Sequence, residues 1–214
     1  MKNLLVSALI LFNTILLQAG NGQYEAAMQK NLQHLQQAND KNALLEVANT
    51  FERIAGNEPK EWLPSYYAAL AYINMSFKED GLKAKDASLE KAAQWIGKAA
   101  QVAPHESEIV ALQGYQSMMS LSADPATRGQ SMTPKTMQLL GQAMQMNPEN
   151  PRAYYLMAQM EFGTAQFFGN STDKACALAQ KSVVLFEKTG EEKSLSPAWG
   201  RNGARELAAN CTSK

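Results

Sequence analysis

The chain has little of what most metal and catalytic sites require. Its 214 residues include two histidines and two cysteines, and neither cysteine has a second cysteine or a histidine at metal-ligand spacing. The sequence also lacks a glycine-rich phosphate loop, a nucleophile elbow and a pair of histidines one helical turn apart. We therefore predict no metal, no cofactor and no catalytic residue.

A basic surface and strand-like patterns are missing as well. The 20 Lys and Arg residues are balanced by 20 Asp and Glu residues, whereas proteins that bind nucleic acid through its phosphates normally carry an excess of positive charge. Aromatic residues make up 8% of the chain, and no stretch of useful length alternates between apolar and polar residues. The abundance of Ala, Leu, Met, Gln, Glu and Lys favours helices. These features argue against nucleic acid as a partner and predict an all-α protein.

One long apolar run is present, at residues 4–17. Lys2 precedes this run and small residues follow it, which is typical of a secretory signal peptide. A membrane-spanning helix needs about 20 apolar residues, so the run is short for the alternative of a permanent anchor. We predict a cleaved signal peptide at residues 1–22 and a helical-repeat domain at residues 23–214. We also expect a periplasmic or secreted location, with no membrane span after cleavage.

A pattern of four positions recurs three times along the chain. The offsets between the positions are four, three and five residues in each copy. This spacing places three small or apolar side chains on one helix face and a proline just beyond the end of the helix. The copies are Val47, Phe51, Ile54 and Pro59; Ala92, Ile96, Ala99 and Pro104; and Thr136, Leu140, Ala143 and Pro148. Recurrence of this kind predicts stacked helical units.

The pattern resembles the second helix of the tetratricopeptide repeat (TPR), which carries small, large apolar and small residues before a proline. The copy from Ala92 to Pro104 matches best, and a weaker fourth copy begins at Ala175. Ala68–Ala69 and Gln113–Gly114 occupy the first-helix positions where a small residue lets the helices approach closely. The resemblance implies pairs of antiparallel helices that stack side by side.

The repeat period is longer than the usual 34 residues, since successive signature prolines lie 45 and 44 residues apart. HEAT repeats, which run to about 40–47 residues, are the alternative, but they do not predict this register of small, apolar and proline positions. We expect a right-handed α-solenoid of about four TPR-like hairpins with a C-terminal capping helix. We assign the surplus to enlarged loops inside the repeats, at residues 77–85, 122–131 and 167–171.

Nine helices follow from the 3.6-residue periodicity and the turn residues between the periodic segments. Three further motifs, at residues 148–156, 167–169 and 196–200, resemble a group of small exported TPR proteins of Gram-negative bacteria. That resemblance implies an export signal, a short helical solenoid and no known catalytic residues. The predicted helices are residues 24–38, 42–56, 61–77, 87–103, 107–121, 132–146, 151–167, 172–188 and 196–211.

The two cysteines, Cys176 and Cys211, both lie in the last predicted helix pair. Each is about the same distance along its helix from the intervening turn, so an antiparallel arrangement brings them together. We predict a disulfide, which an exported protein can keep. Two separate buried thiols are the alternative.

The predicted binding site is the concave side of the solenoid, which the first helix of each pair would line. Aromatic residues there offer a large contact area with little rotamer entropy to lose, and Arg152 is available for a carboxylate. We expect a protein or peptide partner in this groove. A structural envelope subunit that packs through its ends and a loop-based enzyme are the alternatives. The predicted partner-binding residues are Tyr66, Leu70, Ile73, Asn74, Glu108, Ala111, Tyr115, Met118, Arg152, Tyr155, Gln159 and Phe162.

Overall fold

The computed structural model describes residues 22–188 and 195–212, and these ranges contain nine helices and no strand. The all-α class is therefore confirmed, and each predicted helix overlaps one observed helix. The predicted signal peptide lies outside the described residues apart from Gly22. The helices are α1 (22–37), α2 (Lys41–Asn57), α3 (Leu63–Ser76), α4 (Leu82–Val102), α5 (Ser107–Ala123), α6 (Pro125–Met146), α7 (Pro151–Phe168), α8 (Asp173–Lys188) and α9 (Arg201–Thr212).

Helices α2 to α9 each pack against the next one along the chain. The odd-numbered helices α3, α5, α7 and α9 also contact one another in turn, so they form one layer. We call the side of this layer that carries the predicted binding residues the odd-helix face. No helix within the described ranges has the length and apolar content needed to cross a bilayer.

The recurring signature marks the same place in α2, α4 and α6. Its helix positions are buried except for Ile54, which is half-buried. In each copy, the residue just before the proline makes two backbone hydrogen bonds. Its N–H donates to the carbonyl oxygen of the third signature residue, and its own carbonyl accepts the N–H of the residue two positions after the proline. These pairs are Glu58 with Ile54 and Glu61, Ala103 with Ala99 and Glu106, and Asn147 with Ala143 and Asn150. One turn geometry is thus used three times.

The residues beyond the usual repeat length extend helices rather than loops. Helices α4 and α6 have 21 and 22 residues, compared with 17 in α2. The predicted enlarged loop at residues 122–131 is therefore wrong, and of the one at residues 77–85 only residues 77–81 lie between helices. The expected loop at residues 167–171 is a short connection between Phe168 and Asp173.

The start of α6 explains the larger of these errors. The helix begins at Pro125, and the Asp124 side chain accepts the backbone N–H of Thr127 at 3.4 Å. Proline is well suited to a first helical turn because it has no N–H to leave unpaired there. Pro134, which falls in the first turn of the predicted helix 132–146, instead lies inside α6. Two similar start signals were available, and the earlier one is used.

Small residues allow close helix contacts, as the sequence predicted. A side-chain carbon added to Gly114 of α5 would collide with the Leu140 side chain of α6. Ala68 and Ala69 of α3 have no solvent-exposed surface. Larger residues at these positions would push the helices apart.

The predicted disulfide between Cys176 and Cys211 is confirmed, with the two Cα atoms 5.6 Å apart. It joins the beginning of α8 to the end of α9. In the chain-entropy model, a cross-link that closes a loop of 35 residues stabilises the fold by about 4 kcal/mol. The C-terminal helix is thus covalently fixed to the helix before it.

Candidate binding face

The C-terminal helix α9 begins at Arg201, five residues later than predicted, because residues 195–200 run across the ends of other helices. We call residues 195–200 the crossing segment. The hydroxyl of Tyr67, near the start of α3, donates to the carbonyl oxygen of Leu195 at 2.8 Å. This bond fixes the beginning of the crossing segment on α3.

Trp199 of the crossing segment contacts α3, α5 and α7. Its indole N–H donates to the hydroxyl oxygen of Tyr66 at 2.8 Å. Its ring stacks on the ring of Tyr115, with the ring centroids 5.2 Å apart. Its backbone carbonyl accepts a bond from Nη1 of Arg152 at 3.3 Å. The crossing segment therefore covers the odd-helix face where α3 and α7 begin.

A buried ion pair lies beneath Trp199. Arg152 donates from Nε and Nη2 to the two carboxylate oxygens of Glu108, at 2.6 and 2.8 Å. The two side chains are only 7% and 12% exposed. The hydroxyl of Tyr66 donates to the same carboxylate at 3.5 Å. All three guanidinium nitrogens of Arg152 therefore donate to groups of the protein itself.

The electrostatics follow from this arrangement. Burial alone would lower the pKa of Arg152, but the charge and hydrogen bonds of Glu108 outweigh burial and raise it. Burial, together with the charge of Glu108, raises the pKa of Tyr66 well above its usual value. The idea that Arg152 is free to take a ligand carboxylate does not fit, because its partner is already in place.

The full set of predicted site residues, including those just described, divides into a floor and a surface. The buried members make up the floor: Tyr66, Leu70, Ile73, Ala111, Met118 and Arg152. The half-buried members reach the surface: Asn74, Glu108, Tyr115, Tyr155, Gln159 and Phe162. The floor residues contribute little surface, and Glu108 of the second group is already paired with Arg152.

By helical register, part of the predicted odd-helix face continues along α3, α5 and α7 toward their C-terminal ends. Its surface residues are rings and amides, with apolar side chains beneath them. We call this part the open half. It consists of Asn74, Tyr115, Tyr155, Gln159 and Phe162, with Leu70 and Met118 below.

The two tyrosines of the open half are neutral phenols at physiological pH. Burial, with a smaller effect of Tyr155, raises the pKa of Tyr115 to about 12. Burial, with a smaller effect of Glu206 on α9, raises the pKa of Tyr155 as well. Both rings therefore offer an apolar face and a hydroxyl donor rather than a phenolate.

Helix α9 fixes the second tyrosine. The hydroxyl of Tyr155 occupies the space that a side-chain carbon on Gly203 would need. Gly200, between the crossing segment and α9, has a positive φ of 97°, which residues with side chains rarely adopt. Trp199, Gly200 and Gly203 are functional candidates that the sequence reasoning did not select. A Trp-Gly pair shortly after a proline in a helix-rich chain was the available signal.

The histidines lie elsewhere. His34 is exposed on α1, and His105 is exposed in the connection between α4 and α5. Among residues 22–188 and 195–212, no three His, Cys, Asp or Glu side chains are grouped so as to hold a metal ion.

Comparison with known proteins identifies one informative relative. No protein-family model and no curated protein matches the chain. Among solved structures, the HusA haemophore from Porphyromonas gingivalis is 30% identical, with a TM-score of 0.79. The match covers 89% of this chain and 93% of HusA. The chain belongs to the HusA family.

Membership of the HusA family, the all-helical fold and the disulfide together fit a small exported helical-repeat protein. Stable disulfides are typical of compartments outside the cytoplasm, so the protein is extracytoplasmic. HusA itself is described as a haemophore, which is a binding protein.

Proposed function

We propose that this chain is an extracytoplasmic carrier that binds haem, or a similar flat tetrapyrrole, on the open half of the odd-helix face. The observation that carries the proposal is the relationship to the HusA haemophore over almost its whole length. The residues of the open half supply the chemistry that such a ligand needs.

A tetrapyrrole has two wide apolar faces and a few polar groups at its rim. Tyr115, Tyr155 and Phe162 offer rings for contact with the apolar faces, and Met118 is buried in the cluster against which the two tyrosines pack. Methionine adapts its shape to the contour of a ligand. The amides of Asn74 and Gln159 provide donors and acceptors for rim groups. A mostly apolar site with a few polar groups is the usual composition of a small-molecule site.

Most of the affinity would come from the macrocycle rather than from coordination of iron. Ferric iron favours phenolate or imidazole ligands, and forming a phenolate at Tyr115 would carry an added cost because burial raises the pKa of this phenol to about 12. The two histidines lie outside the open half. We therefore expect haem and metal-free protoporphyrin to bind with similar affinity.

We extend the proposal to the architecture and the route of export. The repeated turn and the contacts between odd-numbered helices support a right-handed TPR-like solenoid. Its hairpins would be α1–α2, α3–α4, α5–α6 and α7–α8, with α9 as the cap and the odd-helix face on the concave side. A signal peptide at residues 1–22 would direct the chain to the periplasm or the exterior.

Titration of the purified protein tests the proposal. Haem binding is followed by its absorption band, and binding of metal-free protoporphyrin by its fluorescence. Tyr115→Ala/Tyr155→Ala is expected to weaken both affinities at least tenfold by removing two ring contacts, each worth about 1 kcal/mol. The matched control is Leu45→Ala/Val184→Ala, which removes two exposed apolar residues from α2 and α8. Equal affinity of the folded tyrosine variant and the control would refute the proposed site.

A peptide or partner protein on the same face is the second candidate. The TPR-like register and the amides of Asn74 and Gln159, which suit a peptide backbone, favour it. Absence of tetrapyrrole binding would favour this candidate if a crosslink from residue 159 to one identified partner disappeared in Tyr115→Ala/Tyr155→Ala. An envelope subunit that packs through its ends would keep its partner in that variant.

A further inference from the structure

We infer that Trp199 is a positioning residue. By stacking on Tyr115, it fixes the orientation of the tyrosine ring that forms one end of the ligand site. The inference rests on the proposed function, since it concerns the same face. Trp199 belongs to the crossing segment and meets the open half through its stacking contact with Tyr115. Its effect on a ligand would therefore be exerted through Tyr115.

Trp199 stacks on the ring of Tyr115. The rings of Trp199 and Tyr115 are 5.2 Å apart and inclined by 22°, so they lie nearly parallel. Tyr115 is half-buried, and its ring is part of the surface of the open half. With Trp199 against it, the tyrosine ring is held in one orientation. A ring with fixed orientation loses less entropy when a flat ligand binds.

Two hydrogen bonds anchor Trp199 in its position. Its indole N–H and its backbone carbonyl are held by Tyr66 and Arg152, at 2.8 and 3.3 Å. Both partners are buried, and Arg152 is itself held by Glu108. Rotation of the indole would break a hydrogen bond inside the protein. Such a ring serves as a rigid support.

The C-terminal helix α9 adjoins both Trp199 and Tyr155. Trp199 is followed directly by Gly200 and α9, and the far end of α9 is fixed by the disulfide of Cys211. The same helix packs against Tyr155 through Gly203. The crossing segment and α9 therefore position both tyrosines of the open half, and the disulfide holds this support in place.

The test compares Trp199→Ala, Trp199→Phe and Trp95→Ala by haem and protoporphyrin titration. Trp199→Ala should raise the Kd about tenfold by freeing the Tyr115 ring. Trp199→Phe keeps a stacking ring and should restore affinity to within about threefold of the wild type. Trp95→Ala removes an indole from α4, where Lys98 lies over the ring, and should leave the Kd unchanged.

A double-mutant cycle distinguishes positioning from general damage. If Trp199 acts through Tyr115, then Trp199→Ala should change the Kd of a Tyr115→Ala protein by less than about twofold. A general structural defect would instead cause the same additional loss in both backgrounds. Helical circular dichroism checks the folding of each variant.

Fluorescence provides a measurement that does not depend on the alanine variant. In a Trp62→Phe/Trp95→Phe protein, the remaining emission comes from Trp199, and haem bound beside Tyr115 should quench it strongly. Any one of three results would overturn the inference about Trp199 and leave the proposed function standing. They are haem binding without quenching, a wild-type Kd in folded Trp199→Ala, and full additivity of Trp199→Ala with Tyr115→Ala. Failure of the wild-type protein to bind either tetrapyrrole would overturn the proposed function and this inference with it.

Discussion

Replacement of Glu108 by alanine tests how strongly the buried ion pair holds the odd-helix face together. The change removes both hydrogen bonds that Arg152 donates to Glu108 and leaves a guanidinium that is 7% exposed beside the Trp199 carbonyl. Removing one partner of a buried pair typically costs about 3–5 kcal/mol, because the remaining charge is uncompensated. For a domain of this size, each kcal/mol lowers the Tm by about 2–4 °C, so we expect a fall of roughly 6–20 °C.

Urea and thermal unfolding followed by circular dichroism measure this loss. The matched control is Lys174→Ala, which breaks an ion pair whose lysine side chain is 74% exposed and should cost less than about 1 kcal/mol. The double variant Glu108→Leu/Arg152→Met should recover most of the lost stability, since no charge is then left buried. A loss below about 1 kcal/mol for Glu108→Ala would refute the reasoning.

Three further predictions concern stability. Cys176→Ser/Cys211→Ser should lower the free energy of unfolding in urea by about 4 kcal/mol, and an unchanged midpoint would contradict the chain-entropy argument. Gly114→Val should cost about 2 kcal/mol in the same assay because α5 and α6 must separate, whereas a neutral effect would mean that the contact is loose. Stability should fall as the pH rises from about 10 to about 12, because unfolded tyrosines ionise near pH 10 while Tyr72 and Tyr115 have pKa values of about 12 in the folded protein. Thermal unfolding at several alkaline pH values, with tyrosinate absorbance, checks this sign.

The helices were predictable because local rules determine them. The signature in α2, α4 and α6 has helical spacing, and each copy ends at a proline turn. The disulfide was predictable because two cysteines in one antiparallel pair leave a single pairing. Local rules failed at α6, where Asp124–Pro125 and Thr133–Pro134 are similar start signals. The surrounding packing, which these rules do not include, selects the first.

The candidate face was predictable only in outline. Helical register groups the predicted residues of α3, α5 and α7 on one side, but it does not reveal what covers them. Arg152 pairs with a residue 44 positions away, and Trp199 bonds to one 133 positions away. Such contacts depend on how the whole row of helices is assembled. For that reason the sequence suggested a free arginine where the structure has a buried ion pair.

Methyl NMR of the methionines locates bound haem directly. Met118 and Met119 lie on α5 in the same apolar cluster as Tyr115, whereas Met132 and Met146 lie on α6. Paramagnetic ferric haem broadens nearby methyl signals, so binding on the open half should remove the signals of Met118 and Met119 and leave those of Met132 and Met146. Broadening of the α6 signals with the α5 signals unchanged would contradict the proposed site.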